Sequence, residues 1–288
     1  SLPDDFVKLT DPLIVSRTRK MIEGQETGLT FPTKNKPINL FVTPSQLGNF
    51  ESFEELFDHF PPMLSGYQPS FYTEDDAMEK RDVLQDEKQR ERFLVKMLYI
   101  LMVKRLESSW ASFYSTIGKI RDHHQNALDR IKLYQKTKEN SVLNDTEDDF
   151  DDDEITDELD QFTLGKKRKI ALTDIDAAGM LEQYKKDLKI DIEALDNLYT
   201  NLAKFEKKIE AESIKPSNHA SADDKLEELI AQIKAKRATG ANDSNQKVII
   251  FTVYKDTAEY LFAQLKSRGF DKLAMVSGTG AKVSDSEE

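Results

Sequence analysis

The chain has 288 residues, of which 33% are charged, with a net charge of −12 and no cysteine. That length leaves room for two domains and a sizeable core. The lack of cysteine rules out disulfides and thiolate metal sites and fits a reducing cytoplasm. The most apolar stretch, FLVKMLYILMV at 93–103, carries Lys96 and falls short of the about 20 residues of a membrane span. It reads as a buried helix, no secretory signal is visible, and no membrane partner is expected.

The acidity is local. Residues 145–160 hold eleven acids and no base, and without them the net charge falls from −12 to −1. A near-neutral remainder does not argue against nucleic-acid binding.

In chain order, residues 1–45 read as a docking segment with one or two strands, including INLFV at 38–42. Arg17 and Arg19, with Lys20, suit contact with a phosphate backbone, and equally a structural ion pair or a plain basic patch. Residues 46–75 carry Pro61, Pro62, Gly66 and Pro69, which predict short helical turns and loops.

One long helix is predicted over about 78–137. Its seam runs Tyr99, Val103, Leu106, Trp110, Phe113, Ile117, Ile120, His124, Ala127, Ile131 and Tyr134. A second helix over about 174–212 has the seam Leu181, Tyr184, Leu188, Asp191, Leu195, Leu198, Leu202, Phe205 and Ile209. Alternating fours and threes are the heptad signature, so the two are expected to form an antiparallel coiled-coil-like hairpin. Each seam has one polar member, and pairing would bring His124 and Asp191 to one level. His123 and His124 cannot chelate a metal together, because adjacent helical residues face different ways. No metal site is expected.

The linker, 138–173, has too few apolar residues to offset its ordering entropy, and much of it is expected to be mobile. Its acidic run can serve as a nucleic-acid mimic or as a solvated loop, and KKRK at 166–169 balances it. A third helix over 222–237, opening at Ser221 and Asp224, precedes a Gly/Asn/Ser linker.

Residues 247–278, KVIIFTVYKDTAEYLFAQLKSRGFDKLAMVSG, read as strand, helix and strand in a parallel βαβ unit. Val248 to Phe251 form the first strand and Leu273 to Val276 the second. Asp256 or Thr257 is the expected helix cap, and Arg268–Gly269 the stop. Thr252, Lys255 and Gly278 then fall at carboxyl ends of strands, the edge where open α/β sheets bind ligands. A hydroxyl, an ammonium group and a bare N–H suit sequence-independent phosphate contact, although ordinary turn chemistry explains each one singly.

This wording resembles motif IV in the second RecA-like lobe of SNF2-type helicase-like ATPases. In the same order, PLIVSRTRKMI with LTFPTKNKP resembles the segment leaving the first lobe of that family. KRLESSWASFYSTI at 104–117 resembles a helix between the lobes of bacterial SNF2-related proteins, and DDKLEELIAQI at 223–233 the helix before motif IV. The resemblance covers about a third of the chain. It implies an ATP-dependent nucleic-acid translocase, DNA rather than RNA, with ATP and Mg²⁺ as the parent's cofactors. No G-x-x-x-x-G-K-[ST] loop, Mg²⁺-binding acidic box or arginine-finger motif is present, so this chain is expected to be inactive by itself and to need the remainder of the motor.

The expected fold is therefore α-rich mixed α+β: a long helical hairpin plus a partial RecA-like α/β unit. Residues 1–75 would be the first-lobe tail, 76–215 the helical insertion and 216–288 the start of the second lobe. No catalytic residue is expected. The nucleic-acid contacts would be Arg17, Arg19, Thr252, Lys255 and Gly278, and binding would be weak. The rival reading is a structural coiled-coil interaction module with an incidental βαβ unit.

Overall fold

The computed structural model describes residues 36–42, 50, 52–74, 78–143, 169–214, 223–238, 245–278 and 280–284. The chain divides into Ser1–Phe41 and Val42–Glu288. In the first unit, residues 36–41 are coil, with Ile38, Leu40 and Phe41 exposed, so the strand expected at 38–42 does not form.

The second unit is helical. Its elements are α1 (Phe53–Asp58), α2 (Met78–Ser108), α3 (Trp110–Thr137), α4 (Leu172–Ala177), α5 (Leu181–Ile214), α6 (Asp224–Ala238) and α7 (Lys255–Ser267), then β1 (Ala274–Ser277) and β2 (Gly280–Val283). The single helix expected over 78–137 is two. Ser109 is extended, with φ −161° and ψ 150°, and its Oγ accepts from Ser112 N, so it caps α3.

The break also turns the buried face. From Trp110 onward the seam is buried as the spacing predicts: Phe113, Ile117, Ile120, His124, Ala127, Ile131 and Tyr134. Before it, Tyr99 and Val103 are only half-buried, and Leu94, Val95, Leu98, Leu101 and Met102 face the core instead.

α3 and α5 run antiparallel. Trp110 meets Phe205, Tyr114 meets Tyr199, Arg121 bonds Asp196, and Gln135 bonds Glu182, so one number rises as the other falls. Every seam residue of α5 from Leu181 to Ile209 is buried. The helix expected from 174 starts later, because α4 ends in Gly179 at φ +70°, a left-handed turn suited to glycine.

The linker ends are pinned. Leu143 N donates to Ile170 O at 2.9 Å, Leu172 N donates to Ser141 O at 3.1 Å, and Leu143, Ile170, Leu172 and Ile175 are buried. The acidic run 145–160 lies outside the described residues.

Residues 61–73 form a strap across the helices, held by buried carboxylates. Asp191 accepts from Met63 N at 3.1 Å, Ser65 N at 2.7 Å and Ser65 Oγ at 2.6 Å. Glu91 accepts from Ser70 N at 3.1 Å and from Ser70 Oγ, and Asp187 accepts from Tyr72 OH at 2.9 Å. These bonds satisfy backbone N–H groups that no ladder reaches.

The α/β unit differs from the expectation. Residues 248–253 are coil, and β1 pairs antiparallel with β2, Met275 opposite Lys282 and Val276 opposite Ala281, so no parallel βαβ unit forms among the described residues. Ser277–Gly280 allows a short antiparallel return, whereas a parallel partner would need a longer crossover. α7 begins at Lys255 with Tyr254 as its cap position, so Asp256 and Thr257 lie inside the first turn rather than capping it. Arg268–Gly269 ends it as expected, with Gly269 at φ +79° and Phe270 N donating to Leu265 O. α6 is capped by Asp223 Oδ1 on Leu226 N rather than from Ser221, which lies outside the described residues.

Candidate functional site

The break at Ser109 is where the helical hairpin meets the C-terminal elements. Thr257 Oγ1, in the first turn of α7, lies 2.8 Å from Ser108 Oγ and 2.9 Å from Ser109 Oγ. Lys225 Nζ, at the start of α6, donates to the carbonyls of Glu107 and Ser108. A cation suits those carbonyls, because they end α2 and carry the negative end of its dipole. Burial pulls the Lys225 ammonium below its ordinary range.

Arg105 closes the junction. Its guanidinium lies 4.6 Å from the Tyr254 ring centre, 3.0 Å from Asp256 Oδ2 and 3.3 Å from Ser112 Oγ. The planar group can stack and pair at once, as a lysine could not.

Beside the junction lies a cleft of about 590 Å³, walled by Trp110, Phe205, Leu226, Leu229, Tyr260 and Leu261. Its rim carries Lys104, Glu107, Asp223, Asp224 and Thr252. Tyr260 OH donates to Asp223 Oδ2 at 2.6 Å, and burial, together with that carboxylate, raises the phenol's pKa.

Of the residues read from sequence as nucleic-acid contacts, Thr252 is exposed on the cleft rim. Lys255 is exposed three residues on, as the first residue of α7. Gly278 lies in the β1–β2 turn and does not line the cleft. Arg17 and Arg19 lie outside the described residues. Sequence reasoning missed Arg105, Lys225 and Tyr260. The available signal was Ser108–Ser109 before Trp110, a helix-start pattern inside an otherwise continuous periodicity.

A second polar cluster resembles a catalytic arrangement and is not one. Ser65, His124 and Asp191 are all fully buried. Ser65 Oγ donates to the carboxylate directly, and His124 Nδ1 lies 2.8 Å from Ile120 O within its own helix. A nucleophile needs its base within hydrogen-bond reach and an open approach, and neither holds here. Gly66 O and His123 Nε2, 3.0 Å apart, add to the same structural knot. Among the described residues no group of His, Asp and Glu side chains is placed to hold a metal ion, and no helix is long and apolar enough to cross a membrane.

No protein-family model, curated protein or solved structure matches this chain.

Proposed function

We propose that this chain is a working part of an SNF2-like, ATP-dependent DNA translocase, supplying the helical insertion between two RecA-like lobes and part of the DNA-backbone track. The observation that carries the reading is the run 248–253. It is coil, has no strand partner among the described residues, and is apolar except for Thr252, with Ile249 78%, Phe251 90%, Val253 72%, Val248 40% and Ile250 38% exposed. Alternating strands keep one polar face, whereas a run apolar on both faces suits the interior of a parallel sheet covered on both sides. The run leads into α7 through Thr252 and Lys255, as the resemblance to motif IV implies.

In that reading Thr252 and Lys255 contact phosphates without reading sequence, and the rest of the motor supplies ATP and Mg²⁺ binding, the remaining strands and a cytoplasmic setting. The antiparallel β1–β2 hairpin favours the rival, a helical interaction module with no motor role. Fluorescence anisotropy with a labelled duplex separates the two. Weak binding at low salt that is lost in Lys255→Glu supports the track. Absence of binding, or binding indifferent to that substitution, supports the module.

A further inference from the structure

We infer that α6, α7 and the β1–β2 hairpin form a hinged arm on the helical body, pivoting where Thr257 meets Ser108 and Ser109 and opening at the adjacent cleft. Three observations independent of any DNA role carry this inference.

The first is the chemistry of the seam. α3 and α5 are joined by a row of buried side chains that are apolar except for His124 and Asp191. The arm is joined by two aromatic anchors, Tyr254 in the body's core and Tyr260 against Trp110, and otherwise by polar groups: the Thr257–Ser108–Ser109 hydroxyls, Lys225 on the α2 carbonyls, and Arg105 on Asp256. Interfaces that part and re-form are the more polar kind, because water replaces their hydrogen bonds at little net cost.

The second is packing. A fused interface is filled to the density of a core, yet this one leaves an open cleft of about 590 Å³ between Trp110 and Phe205 on the body and Leu226, Leu229 and Tyr260 on the arm. Across that space the aromatic contact is one edge-on pair, Trp110 and Tyr260, with ring centres 5.5 Å apart.

The third is that the arm has a core of its own. Leu226, Ile230, Ile233 and Leu265 pack with Leu229, Leu261, Phe270 and Leu273, and Arg268 bonds Glu227 across α6 and α7. It can therefore move as one body.

Trp110 is the only tryptophan of the chain and walls the cleft, so its fluorescence reads the opening directly. The experiment compares the chain with Asp256→Asn and Thr257→Val, without DNA or nucleotide. It combines acrylamide quenching of Trp110 with amide hydrogen exchange. Both variants should quench at least about twofold more strongly, and the amides of α6 and α7 should exchange at least about tenfold faster, while those of α3 and α5 keep their rates. Should α3 and α5 accelerate equally, the arm opens only with global unfolding and the hinge is refuted. Unchanged quenching and exchange in both variants refute it as well. Asp256 is 30% exposed, so Asp256→Asn keeps the test readable if Thr257→Val fails to fold.

Discussion

His124 and Asp191 face each other at the middle of the α3–α5 pair, Nε2 to Oδ2 3.8 Å apart, with neither side chain exposed. The antiparallel register read from the two seams brings them together. The separation exceeds a hydrogen bond. Asp191 instead uses its oxygens on Met63 N, Ser65 N and Ser65 Oγ, so its main task is to hold the strap.

The two residues should therefore respond unequally to substitution. Asp191→Ala leaves buried N–H groups of the strap without an acceptor and should cost about 3 kcal/mol. His124→Leu removes no such acceptor and should change stability by less than about 1 kcal/mol, since apolar replacements of buried polar partners are often neutral. Urea unfolding of both variants checks this, and equal losses would contradict it.

Glu91 should make stability depend on pH. Burial pushes its carboxyl up to about 8 from an ordinary 4.5, against the lowering effect of Ser70 and with help from Glu87. The folded chain then holds a proton that the unfolded chain releases. That contribution is complete below 4.5 and is lost as pH climbs towards about 8, by at most about 1.4 kcal/mol per pH unit. Glu91→Gln should flatten the profile between pH 5 and 8 in chemical denaturation. An unchanged slope would show that Glu91 is ionised throughout.

Gly66 has no room to grow. A Cβ there would lie 3.0 Å from His124 Cδ2 and 3.1 Å from His123 Cδ2. The His123 ring stacks on Tyr67 with centres 4.0 Å apart, so neither imidazole moves freely. Gly66→Ala should destabilise by about 1–3 kcal/mol, the usual range for overpacking. A neutral result in thermal unfolding would mean that the strap adjusts.

The purified chain should hydrolyse no ATP, with or without DNA, because its sequence has no phosphate loop and no Mg²⁺-binding acidic box. Turnover that persists through further purification would contradict this.

The hairpin was legible because a heptad pattern survives over many turns, and Trp110 to Tyr134 and Leu181 to Ile209 are buried as that pattern requires. The Ser109 break was harder to read, since the apolar period passes through it and its local helix-start pattern, Ser108–Ser109 before Trp110, is outweighed by that period; Thr257 and Lys225, distant in sequence, bond to it only in the fold. The strap escaped for the same reason: Asp191 and Glu91 bond residues 21 to 128 positions away. At 248–251 the β-branched run predicts a strand, but a strand exists only with a partner, and β1 pairs with β2 instead. Thr252 and Lys255 were placed by turn chemistry alone, and Arg105 became visible only when the fold brought it to Asp256.

The central claim, a weak track for DNA backbone at Thr252 and Lys255, is tested most directly by a salt titration of duplex binding. With few cations engaged, the logarithm of affinity should fall linearly with the logarithm of salt at a slope between about −1 and −3, and duplexes of different sequence should give the same line. Lys255→Glu should abolish the binding. A flat response to salt, or no binding even at low ionic strength, would contradict the track and leave the helical interaction module as the function of this chain.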